Sequence, residues 1–204
     1  DTPDLKIILS MKNGETKGVR VGDDHPMGNK VYLSLLNGSR VLAASVTKNR
    51  LDRNVHDLRD KTILDFKTPQ IKKIEFIRNG KTLNLIKDKE SWQVLENKII
   101  AKGNETEITN LLNTIQAARI EQFVEEKPKQ LTSYGLNNSK FTVKLTTSKA
   151  NEPLTLLIGK KTEHGFYAKT LPKENIFTIN QSLFDTLNNR EFLDFLNKSL
   201  VDFN

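Results

Sequence analysis

The chain contains no cysteine. That excludes disulfides, thiolate-bound metals and cysteine nucleophiles, although it assigns no cellular compartment. No hydrophobic run approaches the roughly 18 residues of a membrane-crossing helix. Residues 1–4 are polar and lack the basic-then-apolar pattern of a secretory leader. Glycine-rich phosphate loops are missing, since Gly22 and Gly159 stand alone. Ser133 and Ser182 have no nucleophile-elbow context, and His164 has no sequence link to either. What remains is a chain of 204 residues with 36% hydrophobic content, enough for one or two packed domains.

The net charge of +7 permits attraction to nucleic acid, anionic lipid or an acidic polymer. The basic residues are nevertheless scattered among acids, as in Lys87-Asp88-Lys89-Glu90 and Glu125-Glu126-Lys127. A nucleic-acid footprint clusters on one face, so an ordinary solvated surface is the better reading and no nucleic-acid partner is expected.

The chain contains part of itself twice. Residues 5–66 reappear, much diverged, as residues 141–203. Gly22 pairs with Gly159 and Tyr32 with Tyr167. The segment DLRDKTILDF matches DFLNKSLVDF, with Asp57/Asp194, Lys61/Lys198, Asp65/Asp202 and Phe66/Phe203 identical. A repeat of this length is a folding unit copied along the chain. The second copy is preceded by a long segment, residues 67–140, so the sequence is expected to begin inside a unit: residues 1–66 form a partial first repeat and 67–204 a complete second one.

The complete repeat opens with residues 71–78 and 81–87, two alternating runs around Asn79-Gly80, a strong hairpin signal. A third strand follows at 91–95, with Trp92 and Val94 as core candidates. Asn104 and Glu107 resemble a capping box, and Ile108, Leu111, Leu112 and Ile115 continue at helical spacing. Residues 120–126 read as a strand. Pro128 and Gly135 bracket a short helix, with Tyr134 and Leu136 packing around its exit. Strands are expected at 141–147, 154–158, 165–170 and 175–179, then a helix capped by Ser182. Residues 5–11, 18–21, 30–35 and 40–44, with a helix around Leu51, repeat that half. Pro69 marks the junction. The expected fold is α+β, antiparallel sheets with helices to one side, repeated in tandem.

Taken in order, the helix, Tyr134-Gly135-Leu136, the strand ending in Ile158-Gly159, the strand bearing Tyr167 and the closing Leu58-Arg59-Asp60-Lys61 resemble the bacterial family called domain of unknown function 4340. The second copy departs from that pattern at Leu196-Asn197-Lys198 and at Asn138-Ser139, where the family tends to place proline. The resemblance implies a membrane-tethered protein with an amino-terminal anchor and tandem extracytoplasmic repeats. Some family members are similar to auxiliary components of ABC-type transporters linked to gliding motility. It implies a protein partner in such an assembly, membrane contact only through an anchor upstream of Asp1, and no catalytic residue to carry over.

Other constellations have plain alternatives. Gly22-Asp23-Asp24-His25 and Glu163-His164-Gly165 occupy equivalent loops, where two carboxylates beside an imidazole could contribute to a divalent metal site. Adjacent residues rarely point at one ion, and polar turn chemistry accounts for them. Asp57, Arg59, Asp60, Lys61 and Asp65 could form a buried network anchoring the return from helix to strand. Glu125 and Glu126, consecutive on a strand, point to opposite faces. The expected function is a non-enzymatic interaction module without cofactor or metal. Binding of an anionic glycan or other polyanion is an alternative, and a hydrolase a remote one.

Overall fold

The computed structural model describes residues 5–149 and 152–198. The chain divides into two compact units, Asp1–Arg59 and Asp60–Asn204. Both are built on antiparallel sheets with few helices, the α+β class with repeated sheet units that the pattern predicts.

In the first unit, β1 (Leu5–Ser10), β2 (Thr16–Asp24), β3 (Lys30–Leu35) and β4 (Arg40–Ala44) form a meander in that order. Two short helices follow, α1 (Val46–Leu51) and α2 (Val55–Leu58). The core is small: Val21, Val31 and Leu33 are buried, with Leu5, Val19, Ala43 and Leu51 packed against them.

The second unit contains β5 (Ile71–Arg78), β6 (Lys81–Asp88), β7 (Ser91–Glu96), β8 (Ile99–Lys102), α3 (Glu105–Ala117), β9 (Gln122–Glu125), β10 (Phe141–Thr147), β11 (Leu154–Thr162), β12 (Gly165–Leu171), β13 (Ile176–Asn180) and α4 (Gln181–Asn188). Its nine-stranded sheet runs β8-β7-β6-β5-β10-β11-β12-β13-β9. The β5–β6 hairpin turns at Asn79 (φ 47°) and Gly80 (φ 82°), two left-handed residues as a two-residue turn of this hand requires. One core joins the buried residues of β5, β6, β7, β10 and β11 to the stripe Ile108, Leu111, Leu112 and Ile115 of α3. Burying each of those helix side chains contributes roughly 1.5–3 kcal/mol.

Local chemistry departs from expectation at several points. Asn104 caps α3, its side chain accepting from the Thr106 and Glu107 amides at 3.1 and 3.2 Å. The reciprocal half of a capping box is replaced, because the Asn104 amide donates to the Phe195 carbonyl at 2.7 Å. Glu107 instead faces Arg190 at 3.7 Å. Asn104→Ala should therefore cost about 1 kcal/mol in urea unfolding. Helix α4 is capped by Asn180, whose side chain accepts from the Leu183 amide at 2.8 Å, rather than by Ser182. The element ending at Gly135 is a single 3-10 turn, Thr132–Tyr134, which begins well after Pro128. Strand β8 is an addition to the expected strands; its Ile99 and Ile100 are adjacent and both exposed.

The repeat is visible in the register itself. Leu5 faces Val21 as Phe141 faces Ile158, and Ile7 faces Val19 as Val143 faces Leu156. Both copies then carry a one-residue bulge at the same place. The β2–β3 register slips between Val21 and Asp24, and the β11–β12 register between Ile158 and Lys161. Gly22 and Gly159 sit inside those bulges.

The tail of the first repeat, however, folds with the unit that follows it in sequence. Ile63, Leu64 and Phe66 are 2%, 3% and 6% exposed and belong to the core of the second unit. Thr62 bridges Arg119, and the Ile120 amide donates to the Lys61 carbonyl at 2.8 Å. The sequence repeat ends at Phe66, while the compact units divide between Arg59 and Asp60.

Candidate functional site

The repeated positions show what each unit needs for packing. In the second unit, Tyr134, Gly135 and Leu136 close over the bulge of β11. A Cβ on Gly159 would lie 2.1 Å from the Tyr134 carbonyl oxygen and 3.1 Å from the Leu136 side chain. Gly135 holds φ at +69°, in the left-handed region that glycine adopts without strain, and Leu136 is buried. The Tyr134 ring meets Tyr167 edge-on at 5.0 Å. Its hydroxyl donates to Glu125 at 2.7 Å, and that hydrogen bond, ahead of burial and the carboxylate's charge, pushes the phenol up from its ordinary range. Glycine inside a strand signals a close backbone approach, so the residue that looks like a stray phosphate-loop glycine marks a packing contact.

Among the described residues, the first unit repeats the bulge without this closure, and a Cβ on Gly22 would meet only Tyr32 atoms, the nearest at 3.6 Å, an ordinary contact. Tyr32 is 44% exposed and lies 5.5 Å from the His25 ring. The neighbouring strand is open as well. Leu5, Ile7 and Leu9 on β1 stand where Phe141, Val143 and Leu145 stand on β10. The three β10 residues are buried, but Leu9 is 57% exposed, against none of Leu145. Leu35 and Val41, which share that sheet face through their partners Val19 and Leu33, are also exposed. Among the described residues β1 pairs with β2 alone, whereas β10 lies between β11 and β5.

The remaining repeated residues have structural roles or lie at the surface. Asp57 and Asp194 are both the third residue of a short helical turn and complete capping boxes. Asp57 accepts from the Asn54 amide at 3.3 Å, and Asp194 from the Glu191 amide at 2.8 Å. Phe66 is in the core. Asp65 and Lys198 are exposed, and Lys61 contributes its carbonyl. Asp202 and Phe203 lie outside the described residues. In the network expected around residues 57–65, the carboxylates of Asp57, Asp60 and Asp65 are exposed rather than buried. Asp57 is engaged in its cap, and the exposed Asp60 carboxylate accepts from the Thr62 amide at 2.8 Å. The Thr62 hydrogen bonds, side chain first and backbone next, hold Asp60 below the usual carboxylate range.

The two candidate metal loops do fall at equivalent β2–β3 and β11–β12 turns. His25 Nδ1 accepts from the Met27 amide at 3.2 Å, while His164 stands 3.9 Å from an exposed Glu163. Among the described residues no group of three His, Asp or Glu side chains is placed to hold an ion. Glu125 engages Tyr134 from one face of β9.

Sequence reasoning missed Arg78, the last residue of β5. Its guanidinium lies 5.4 and 5.3 Å from the Phe76 and Phe141 ring centroids and donates to the Leu187 carbonyl at 2.8 Å, near the carboxyl end of α4. Burial pushes this group down, and Glu96 and Glu191 push it back up. Two clefts of about 290 and 420 Å³ border it, one with Lys81 and Glu96, the other with Glu191 and Phe192. Neither is lined by His25 or His164. A cation set against two neighbouring rings at a helix terminus is a clamp on packing. Arg78→Met should cost about 2 kcal/mol in unfolding, through the lost ring contacts and the orphaned carbonyl. A variant as stable as the parent would refute the clamp.

A family model described as Domain of unknown function (DUF4340) matches residues 1–127 and, separately, residues 92–204. The chain belongs to this family. The overlapping matches fit a DUF4340 protein built as a tandem repeat, the same conclusion reached from the paired bulges. No curated protein and no solved structure matches the chain.

Proposed function

We propose that this DUF4340 protein is a non-enzymatic interaction module, an extracytoplasmic scaffold that docks onto a protein partner in a membrane-associated assembly such as a transporter complex. One observation carries the docking part of this reading. The first unit holds the same sheet as the second, in the same register, yet leaves Leu9, Leu35 and Val41 exposed where the second unit buries Leu145. Uncovered apolar sheet surface beside a strand with one partner is the kind of surface that another polypeptide covers. The location and the assembly rest on the family resemblance alone.

Charge does not favour the polyanion reading. The first unit carries ten basic and seven acidic side chains and the second 22 and 18, so the excess in each is small beside its acidic content. The test is recovery of cross-linked partners from native membranes with the full chain as bait. Envelope or transport components are expected. Their absence, together with retention on an acidic polymer at low salt, would overturn the proposal in favour of polyanion binding.

A further inference from the structure

The second unit supplies a template for what covers the first. Along β10, Lys144 faces Glu75, Val143 faces Phe76 and Leu145 faces Ile74 of β5. The same sheet face shares its core with the stripe of α3. Shifting to the matched residues of β1 places Ile8 opposite the Glu75 position, Ile7 opposite Phe76 and Leu9 opposite Ile74.

β1 is also the longest edge strand among the described residues. It has six residues, four of them large and apolar, with Lys6 its only charge. The far edge of its own sheet, β4, has five residues with Arg40 its only charge, and the edges of the nine-stranded sheet, β8 and β9, have four each. Short or charged edges resist pairing with further chains, and a longer apolar edge invites it.

We propose that β1 is a strand acceptor: its free edge takes an antiparallel strand with apolar residues at alternate positions, and Leu5, Ile7 and Leu9 take the apolar stripe of the helix that accompanies it. The partner element is therefore built like β5 and α3. Main-chain hydrogen bonds along β1 supply affinity, and the side chains opposite Ile7 and Leu9 set the register. The proposal deepens the reading of the first unit as a docking surface, but it does not depend on which assembly contains the partner. Failure to recover a membrane component leaves the following test unaffected.

Because the chain carries no thiol, register can be read by disulfide trapping. Ile8→Cys is introduced into the full chain at a half-exposed side chain. The probe is a synthetic peptide with the sequence of residues 70–79 and the change Glu75→Cys. A control peptide carries Lys73→Cys instead, two residues out of register. The in-register peptide should cross-link roughly tenfold faster than the control, since only it holds the sulfurs together. Leu9→Asp in the same chain should abolish the preference while leaving the unfolding transition in place. Equal rates for both peptides would overturn the proposal. A predominance of disulfide-linked dimers of the full Ile8→Cys chain would do so as well, showing that β1 pairs with its own copy.

Discussion

Gly159→Ala is expected to be among the most damaging single-methyl changes in this protein, and Gly22→Ala among the mildest, although the two glycines are repeat equivalents. The added methyl at 159 would stand 2.1 Å from the Tyr134 carbonyl oxygen, a backbone atom that cannot rotate aside. Either β11 moves away from the Tyr134–Leu136 turn or the turn gives up its packing. Both routes are overpacking, at about 3 kcal/mol. In urea this corresponds to a midpoint lowered by roughly 1–2 M. At 22 the nearest atom among the described residues lies at 3.6 Å, so the change should stay within about 0.5 kcal/mol. Comparable losses at both positions would mean that the bulge itself requires glycine, and that the closure over β11 is not its cause.

A second large effect is expected from the place where the chain is cut. A fragment beginning at Asp60 retains Ile63, Leu64 and Phe66 in the core of the second unit, and should unfold cooperatively. One beginning at Lys67, the end of the sequence repeat, loses all three. At roughly 1.5–3 kcal/mol for each buried side chain, the loss approaches the whole stability of an ordinary domain. Two polar groups are stranded as well. The Ile120 amide loses the Lys61 carbonyl at 2.8 Å, and the Gln116 side chain loses the Phe66 carbonyl at 2.7 Å. The shorter fragment should show no cooperative urea transition. Matching midpoints for the two fragments would show that residues 60–66 are a passive connection.

The sheet architecture is largely legible in the sequence because its signals are local. Asn79-Gly80 between alternating runs dictates a hairpin, and four apolar residues at helical spacing give α3 its buried stripe. The paired segments around Gly22 and Gly159 also predict shared structure, which extends to a common bulge. Long-range choices are harder to read. Asn180 and Ser182 are both good caps, and only the end of β13 decides between them. Strand β8 carries two adjacent exposed isoleucines, so its pattern lacks the alternation of a half-buried strand. The Arg78 clamp depends on Phe141 and Leu187, which lie far away in sequence, and no spacing rule connects them. At the candidate docking face, composition gives no warning. Leu5, Ile7 and Leu9 look like an ordinary strand until the exposure of Leu9 is set beside that of Leu145.

The placement of Ile63, Leu64 and Phe66 bears on how such chains can be recombined. A gene fusion joined after Phe66 would carry these residues away from the module they complete and leave the downstream module without its plug. A splice between Arg59 and Asp60 would transfer the plug intact. Shuffling experiments on this protein should therefore yield soluble chimaeras from the second junction and inclusion bodies from the first, and inheritance of whole modules is tied to the earlier cut.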